Sequence, residues 1–311
     1  MPSRLGERLI EGGVRASAAL VIGSLALIFI FVGKEALPLL TQPSRYSEAS
    51  LARLFLPQAD PAREGRKGMD WQPVSTTPKY SLLPLVTGTL KVTLVALLFA
   101  LPVALFAAMF ATEFAPFWLR ELVKPVIELL ASIPSVVLGF FALMVLASWL
   151  QAALGWNYRL NAVTAGLAMS LAVIPIVYTV AEDALSAVPQ TFRDGSFALG
   201  ANAWQTAWRV VLPAASPGIF AACVLGFGRA FGETMIVLMA SGNAALLSWD
   251  PTVSVRTLSA TVAAELAEVV VGSTHYRVLF FIGALLFVLT FLLNFFAHWA
   301  VGRLRRRLQG G

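Results

Sequence analysis

Charged residues are scarce in this sequence. Of its 311 residues, 13% are charged and 58% are hydrophobic, whereas a globular domain is about 25% charged. This composition excludes an ordinary soluble fold and predicts a membrane protein. The net charge is +6, but the basic residues lie mostly in loops between apolar runs, as in proteins that positive loops orient in a membrane. We therefore expect no nucleic acid among its partners.

Residues for disulfide, metal and nucleotide chemistry are also lacking. The single cysteine, Cys223, cannot form a disulfide within the chain, and the only histidines are His275 and His298. No Cys/His cluster is present for a metal. Neither the phosphate-binding loop G-x-x-x-x-G-K-[ST] nor the zinc motif H-E-x-x-H occurs. We expect no enzymatic activity and no cofactor in this chain, so work on a solute must draw on a partner protein or an ion gradient.

Six apolar runs are long enough to cross a bilayer, which takes about 20 residues. They cover residues 16–40, 82–111, 125–150, 161–181, 215–240 and 278–301. The first run follows three arginines, as in a secretory signal, but no A-x-A cleavage site closes it, so we expect it to be retained. The sequence therefore predicts an all-α membrane protein with six transmembrane helices.

The distribution of lysine and arginine predicts the orientation of these helices. With the N-terminus inside, most basic residues of the connecting segments fall inside: Arg4, Arg8, Arg15, Arg120, Lys124, Arg193, Arg209, Arg303, Arg305, Arg306 and Arg307. The short outer loops hold only Arg159, Arg256 and Arg277. This predicts a cytoplasmic N-terminus (1–15) and a basic cytoplasmic tail (302–311). The segment 41–81 is then extracytoplasmic, as an irregular loop or a small insertion.

The fifth predicted span contains two charged residues, Arg229 and Glu233, in the stretch GRAFGETM. A charged side chain at the centre of a membrane helix costs about 2.5–3.5 kcal/mol on insertion scales. We therefore expect this pair to have a structural or functional role. Arg before Glu is the weaker order for stabilising a helix. We interpret the pair, with the adjacent Thr234, as part of a substrate path. The alternative is a self-neutralising pair that locks two helices together, and the flanking Gly228 and Gly232 permit close helix packing.

Three other polar features lie in or between predicted spans. Pro134 interrupts the third span between Ser132 and Ser135. Because proline removes a backbone donor, either the serines patch a kink, or the helix breaks and its free groups face a cavity. Lys91, near the outer end of the second span, either snorkels to the interface or lines a polar path. The outer loop 241–277 contains TLSATVAAELAEVVVG, which favours a re-entrant or interfacial helix.

The longest cytoplasmic segment, 182–215, is typical of two short helices. Gly200 suits a helix stop, Asn202 with a glutamine three residues later forms a capping box, and Pro213 is expected to end the second helix. The aromatic residues of this segment form an apolar surface that is too short to span the membrane. Such a surface favours docking of a partner protein, although packing on the chain's own spans is the alternative.

This segment resembles the EAA loop of ATP-binding-cassette (ABC) importer permeases. That pattern is E-A-A, three residues, G, nine residues, I-x-L-P. The present sequence has Asp194-Gly195-Ser196, Gly200 and Val210-x-Leu212-Pro213 at the same spacing, with Asp for Glu, Gly-Ser for Ala-Ala and Val for Ile. The resemblance implies contact with a cytoplasmic ATPase through Asp194, Gly195, Ser196, Phe197, Leu199, Gly200, Leu212 and Pro213.

Longer stretches are similar to the permeases of phosphate-specific ABC importers. They are ASIPSVVLGFFAL, AEDALSAVPQ, GRAFGETMIVLMASGN and VRTLSATVAAELAEVVVGSTHYRVLF, and GETM-x-VLM looks like the C-type subunit. The resemblance implies a type I importer permease in the cell inner membrane, with its core over 82–301. It also implies three partners: a sister A-type permease as heterodimer, two copies of a cytoplasmic ATPase that bind the ATP, and an extracytoplasmic phosphate-binding protein.

The function implied by this resemblance is a membrane path for inorganic phosphate. Arg229 would attract the anion, because a guanidinium matches two phosphate oxygens, while Glu233 would discriminate or moderate binding. Ser132, Ser135 and Thr234 would line the path. One alternative is a permease for another oxyanion, such as phosphonate, molybdate or sulfate. Another is an ion-coupled secondary transporter that works alone.

Overall fold

The computed structural model describes residues 4–59 and 67–308 and is mostly helical. Six helical stretches within these residues are long and apolar enough to cross a membrane: Ile10–Thr41, Leu83–Glu113, Ser135–Leu154, Ala162–Ser186, Ala203–Phe231 and Thr274–Arg303. The prediction of an all-α protein with six transmembrane helices is confirmed. The bounds of the third and fifth spans differ from those predicted.

The described chain forms short elements between these long helices. The helices are α1 (Arg4–Thr41), α2 (Leu51–Phe55), α3 (Leu83–Glu113), α4 (Phe117–Ser132), α5 (Ser135–Phe141), α6 (Ala147–Leu154), α7 (Ala162–Ser186), α8 (Gln190–Ala198), α9 (Ala203–Thr206), α10 (Leu212–Phe231), α11 (Met235–Ala240), α12 (Leu258–Glu265) and α13 (Thr274–Leu308). Two π-helical turns, Ala142–Leu146 and Ala207–Val211, join α5 to α6 and α9 to α10. Two antiparallel pairs of strands lie in the segment before α3: β1 (Gln58–Ala59) with β2 (Lys67–Gly68), and β3 (Trp71–Gln72) with β4 (Lys79–Tyr80).

The third predicted span, 125–150, is wrong in its bounds because the helix breaks at Pro134. Ile133 and Pro134 are extended, with ψ of 124° and 138°, since a residue before proline is sterically pushed out of the α region. Helix α4 therefore ends at Ser132 and a new helix begins at Ser135. The membrane-spanning stretch is Ser135–Leu154, and α4 is a separate helix with no buried residue.

The fifth predicted span, 215–240, also differs from the structure. The helical stretch begins at Ala203 and passes through Pro213, so the expectation that Pro213 ends the second loop helix is wrong. The π-helical turn before it supplies the reason. The Leu212 N–H donates to the carbonyl of Ala207, five residues back. The pattern of backbone hydrogen bonds is therefore already shifted at Pro213, which has no N–H to donate. The stretch instead stops at Phe231, and α11 follows after a short break.

The main core lies between α3 and α7, which pack closely through small residues. Alanines face the contact from both helices, including Ala96, Ala100 and Ala165, all fully buried. At Gly166 a Cβ atom would overlap the side chain of Val95. Small residues let membrane helices approach and gain dispersion contacts that lipid does not supply. This core makes α3 and α7 the central pair to which the other helices attach.

A second core covers one end of the bundle and contains the segment before α3. Trp71, Tyr80 and Leu54 pack with residues of α12 and α13, including Leu258 and Ile282. The described part of 41–81 is therefore a small packed insertion, the second of the two forms expected. We call this end the α12 end. The opposite end, where α3 and α7 finish and α8 lies, is called the α8 end.

Candidate functional site

A break in the fifth span holds the pair Arg229 and Glu233. Arg229 lies in the last turn of α10, Gly232 caps that helix, and Glu233 lies in the break before α11. The sequence suggested that Arg229 lies at the centre of a continuous membrane helix, but in the structure it lies at a helix end. Its charge lies where the partial negative charge of the α10 C-terminus stabilises a cation. The break also removes the helical geometry that would place two residues four apart face to face.

The two charged side chains differ in exposure and are only loosely paired. Arg229 Nη2 lies 3.8 Å from Glu233 Oε2, and the side chains are 51% and 7% exposed. This distance is too long for a hydrogen bond. The other carboxylate oxygen of Glu233 accepts the Thr234 backbone N–H at 3.1 Å. No described residue makes a hydrogen bond with the Arg229 guanidinium, so its donors are available to an anion.

Hydroxyl groups surround the buried Glu233. Thr89 and Thr93 of α3, with Thr257 and Ser259 at the start of α12, line a small cavity with Glu233 that has no room for a water molecule. Ser259 Oγ donates to the backbone carbonyl of Glu233 at 2.8 Å, which satisfies a group that the helix break leaves free. Sequence analysis missed all four hydroxyls, because only the fold brings α3 and α12 to the break. The spacing of Thr89 and Thr93, one turn apart in an apolar span, was the available indication.

A larger cavity of about 380 Å³ opens beside the same break. Thr234 and Gly232 line it from the break, Ser259 from α12, and Gly283 and Thr290 from α13. Most of the remaining lining is apolar. The predicted path residue Thr234 therefore lies at a cavity next to the charged pair. Ser259 borders both this cavity and the small one around Glu233.

Ser132 and Ser135 flank the break in the third span but make no described contact with Arg229 or Glu233. Ser132 is exposed and its hydroxyl donates to the carbonyl of Leu129, in its own helix, at 2.7 Å. The half-buried Ser135 begins α5. The structure thus combines the two interpretations, since the helix breaks and one serine satisfies a local carbonyl. Their assignment to a substrate path stays a prediction.

Lys91 is buried and does not extend to an exposed position as snorkelling would require, and the alternative that it lines a polar path stays a prediction. Its ammonium is buried and donates to the backbone carbonyl of Asp250 at 2.9 Å. Nearby, Thr89 accepts the backbone N–H of Leu258 at 3.0 Å. At Gly88 a Cβ atom would overlap the carbonyl oxygen of Arg256. These residues attach one end of α3 to the loop that precedes α12.

Helix α8 and the turn after it carry most of the residues predicted to contact an ATPase. Gly200 has a φ of +85°, the left-handed conformation expected of a helix stop, and Asn202 forms the predicted capping box with Gln205. Asp194 and Gly195 are exposed. Phe197 is 46% exposed and Leu199 is 91% exposed. Exposed apolar side chains are typical of a surface that binds a partner, and contact of these residues with an ATPase stays a prediction.

Other residues of the same loop pack on the chain itself. Ser196 shares a hydrogen bond of 2.9 Å with Thr206 of α9. Trp204 packs against Phe114 in a tilted arrangement, with ring centroids 5.8 Å apart. Leu212 packs against the main core and Pro213 lies beside it in α10. Packing on the chain's own helices is therefore confirmed for these residues, and docking of a partner by the exposed ones stays a prediction.

Three ion pairs at the α8 end, made by the two buried carboxylates of Glu113 and Glu182, were missed by sequence analysis. Arg193 of α8 forms a salt bridge of 2.7 Å with Glu113, the last residue of α3. Glu182 of α7 accepts from Arg120 at 2.9 Å and lies 3.6 Å from the ammonium of Lys124, both on α4. The partners are far apart in sequence, so no local pattern identifies them.

A third cluster lies at the α12 end around Glu265. Its carboxylate forms an ion pair with Arg256 at 2.7 Å, accepts a hydrogen bond from the Trp71 indole at 3.1 Å, and lies 2.8 Å from His275 Nε2. Burial raises the pKa of Glu265, but the hydrogen bonds from His275 and Trp71 and the charge of Arg256 outweigh it and hold the pKa below its usual value. Burial, with the nearby charges of Glu48 and Glu265, raises the pKa of Tyr80 to about 12.

Comparison with known families identifies the class of protein. The family model described as "Binding-protein-dependent transport system inner membrane component" matches residues 100–310. This chain belongs to that family. The match includes both breaks, the Arg229–Glu233 pair and helix α8, whereas Thr89, Lys91 and Thr93 precede it. Together with the six apolar helices, the family makes the chain a multi-pass inner-membrane protein.

Several relatives are similar over most of their length. A probable ABC transporter permease protein of Bacillus subtilis, YqgH, is 34% identical over 281 residues, covering 90% of this chain and 85% of the relative. The phosphate transport system permease protein PstC 1 of Mycobacterium tuberculosis is 36% identical over 251 residues, covering 73% and 74%. The phosphate transport system permease protein PstC of Mesorhizobium japonicum is 32% identical over 256 residues, covering 76% and 77%.

Solved structures of two ABC importers share the fold. A bacterial alginate ABC transporter in complex with its alginate-bound periplasmic protein matches with a TM-score of 0.59 at 15% identity, covering 99% of both chains. An inward-facing MetNI methionine transporter matches with a TM-score of 0.54 at 19% identity, covering 72% of this chain and 94% of that one. The predicted architecture of a type I ABC importer permease is confirmed.

Proposed function

We propose that this chain is the permease subunit of an ATP-driven importer and forms the membrane path for inorganic phosphate. The observation that carries the proposal is the half-exposed Arg229 beside the buried Glu233, at the break between α10 and α11. The relatives from Mycobacterium tuberculosis and Mesorhizobium japonicum, both named as phosphate transport permeases, support the same substrate.

Arg229 suits the capture of a phosphate anion that must later leave. A guanidinium presents a planar set of donors that matches two phosphate oxygens. The guanidinium of Arg229 makes no hydrogen bond with any described residue. An anion can therefore bind it without breaking an existing hydrogen bond. Glu233, 3.8 Å away, reduces the local positive charge. Weak binding serves transport, because a site on a path must release what it captures.

Glu233 suits discrimination between phosphate and anions that carry no proton. Near neutral pH phosphate keeps at least one proton, whereas sulfate has none. The Oε2 atom of Glu233 makes no hydrogen bond within the described residues and faces Arg229. It is therefore placed to accept the phosphate O–H while Arg229 holds the other oxygens. A sulfate at the same place would meet the carboxylate with no donor between them.

Transport by this mechanism needs partners, and we propose the set that the resemblance implies. The exposed face of α8 docks a cytoplasmic ATPase, of which the complete importer has two copies, and ATP binding and hydrolysis take place there. A sister permease completes the path as a heterodimer. A phosphate-binding protein delivers the anion at the α12 end, which is extracytoplasmic, so that both termini are cytoplasmic. Motion of α8 then alternates access to the Arg229 site between the two sides.

Phosphate uptake in cells lacking this gene tests the proposal. Wild type, Arg229→Gln and Arg159→Gln are added back, and assembly in the membrane is checked for each. Arg159 is an exposed arginine outside the long helices, so its variant is a matched control for loss of one positive charge. We expect rescue by wild type and by Arg159→Gln, and at least about a tenfold loss of uptake in Arg229→Gln, as for a charge-assisted hydrogen bond.

The same assay separates the rival functions. Competition by sulfate, molybdate or phosphonate stronger than that by phosphate would assign a different oxyanion. Uptake that persists when the ATPase gene is deleted would indicate a secondary transporter. Glu233→Gln should relax the preference for phosphate over sulfate. An unchanged uptake rate and an unchanged selectivity in that variant would show that Glu233 is not part of the substrate path.

A further inference from the structure

Arg193 joins three helices at the α8 end. Its Nε and Nη2 atoms donate to the two carboxylate oxygens of Glu113 at 3.1 and 2.7 Å, which is a bidentate pair. Nη1 donates to the carbonyl of Val188 at 2.7 Å, and Nη2 also donates to the carbonyl of Leu185 at 3.1 Å. The guanidinium thus connects α8, the end of α3 and the last turn of α7.

The pair is buried, so its hydrogen bonds are strong and costly to lose. The side chains of Arg193 and Glu113 are 13% and 8% exposed. Charge-assisted bidentate pairs are stronger and more directional than neutral hydrogen bonds. The carbonyl of Leu185 lies in the last turn of α7 and also accepts the backbone N–H of Val188, and the carbonyl of Val188 lies just beyond the helix. Arg193 therefore completes the end of α7 as well as binding α3.

Helix α8 has few other attachments to the spans. No residue of α8 is buried, and Ser196 bonds forward to α9. Among the described hydrogen bonds, those of Arg193 are the ones that join an α8 side chain to α3 or α7. The ion pair is therefore a direct route by which a force on α8 reaches α3, beside the chain connection of α8 to α7, which packs on α3.

The opposite end of α3 contacts the site around Glu233. Thr89 accepts the N–H of Leu258, Lys91 donates to Asp250, and the carbonyl of Arg256 lies against Gly88. Thr89 also borders the small cavity beside Glu233. Helix α3 has 31 residues, about 45 Å at 1.5 Å per residue. One continuous helix, which passes through Pro102, thus reaches from α8 to the residues around the candidate path.

We infer that α3 transmits motion of α8 to the α12 end. The Arg193–Glu113 pair is the contact that couples α8 to α3, and we call it the joint. The inference rests on the proposed function, because it assumes that an ATPase moves α8. When α8 moves, the bidentate pair makes α3 move with it. Thr89 and Lys91 then shift the loop from Asp250 to Leu258, and with it the wall of the Glu233 cavity. Arg193 and Glu113 are positioning residues and touch no substrate.

A distance measurement tests the joint without depending on the substrate. Spin labels are placed at Trp249→Cys, beside the loop that α3 would shift, and at Leu37→Cys in α1, both exposed, in a chain carrying Cys223→Ser. The complex with its ATPase is measured with and without ATP. We expect ATP to change the label distance in wild type and not in Glu113→Gln or Arg193→Gln. A wild-type change retained in both variants would overturn the inference.

Coupling in reconstituted complexes gives the functional readout. ATP hydrolysed per phosphate imported should rise about tenfold in either single variant, as expected for one lost charge-assisted bond. The double variant should be no worse than a single one, because residues that act as a unit are not additive. Arg277→Gln, which breaks the ion pair with Glu35 between α13 and α1, is the matched control and should keep the wild-type ratio.

Assembly and substrate are controlled separately. If Arg193→Gln does not co-purify with the ATPase, Arg193→Lys is used instead. Lysine keeps the positive charge but cannot form the bidentate pair, so the number of ATP hydrolysed per phosphate should lie between those of wild type and Arg193→Gln. A wild-type ratio in Arg193→Lys, or the same rise in Arg277→Gln, would show a general effect on stability and contradict the joint. If wild type imports no phosphate but its label distance still responds to ATP through the pair, the substrate assignment fails and the joint stands.

Discussion

The two ends of the bundle are held together by different means. At the α12 end, Glu265 is bound by Arg256, Trp71 and His275, over a core that also buries Leu258. At the α8 end, helix α8 buries no residue completely, is attached to α3 by the Arg193–Glu113 pair, and carries exposed apolar side chains. A buried polar network resists displacement because each broken bond leaves an unsatisfied group. The comparison indicates one end built for stability within the chain and one end left for a partner.

Removing the carboxylate at the α12 end should produce the largest loss of stability. Glu265→Gln keeps the shape of the side chain but leaves the charge of Arg256 buried without compensation. Removing one partner of a buried ion pair lowers the free energy of unfolding by about 3–5 kcal/mol. We expect the purified variant to unfold at a markedly lower temperature than wild type in detergent.

Glu268→Gln is the control for that experiment, because Glu268 is exposed and one turn away. Exposed substitutions usually change stability by less than about 0.5 kcal/mol. Equal melting temperatures for wild type and Glu265→Gln would mean that the network does not hold the α12 end, and the contrast between the two ends would be lost.

Acid should weaken the α12 end by a smaller amount. The pKa of Glu265 is lower in the folded chain than its ordinary value of 4.5, so the folded state binds this proton less tightly than the unfolded state. The stabilisation is therefore complete above pH 4.5 and is lost as pH falls through the folded pKa. Melting temperatures measured from neutral pH to below pH 4 should fall more steeply for wild type than for Glu265→Gln. Parallel curves would contradict the role given to this carboxylate.

A polar substitution at the α8 end should have almost no effect on stability. Leu199 is 91% exposed, so Leu199→Ser should change the free energy of unfolding by less than about 0.5 kcal/mol. If the exposed face of α8 docks an ATPase, the same change should reduce co-purification of the ATPase and phosphate uptake. A large loss of stability would show that Leu199 packs on its own chain. Unchanged stability with unchanged co-purification would place the docking surface elsewhere.

Regular apolar patterns made much of the fold predictable. Six runs of membrane-spanning length appear as six helical stretches, because a bilayer tolerates backbone only when its polar groups are satisfied within the helix. The stop at Gly200 and the cap at Asn202 were also predictable, since both depend on local conformation. Pro213 was misjudged because a π-helical turn, which no residue pattern announced, lets the helix pass through it.

By itself, the sequence determined the number of spans, the loop that resembles the ATPase-docking segment, and the presence of Arg229 and Glu233 in an apolar region. Only the tertiary structure decided that this pair lies at a helix break and that Ser259 bonds the freed carbonyl. It alone brought Arg193 to Glu113, 80 residues away in the chain. Propensities and periodicity act over one or two helical turns, whereas such contacts depend on how whole helices pack.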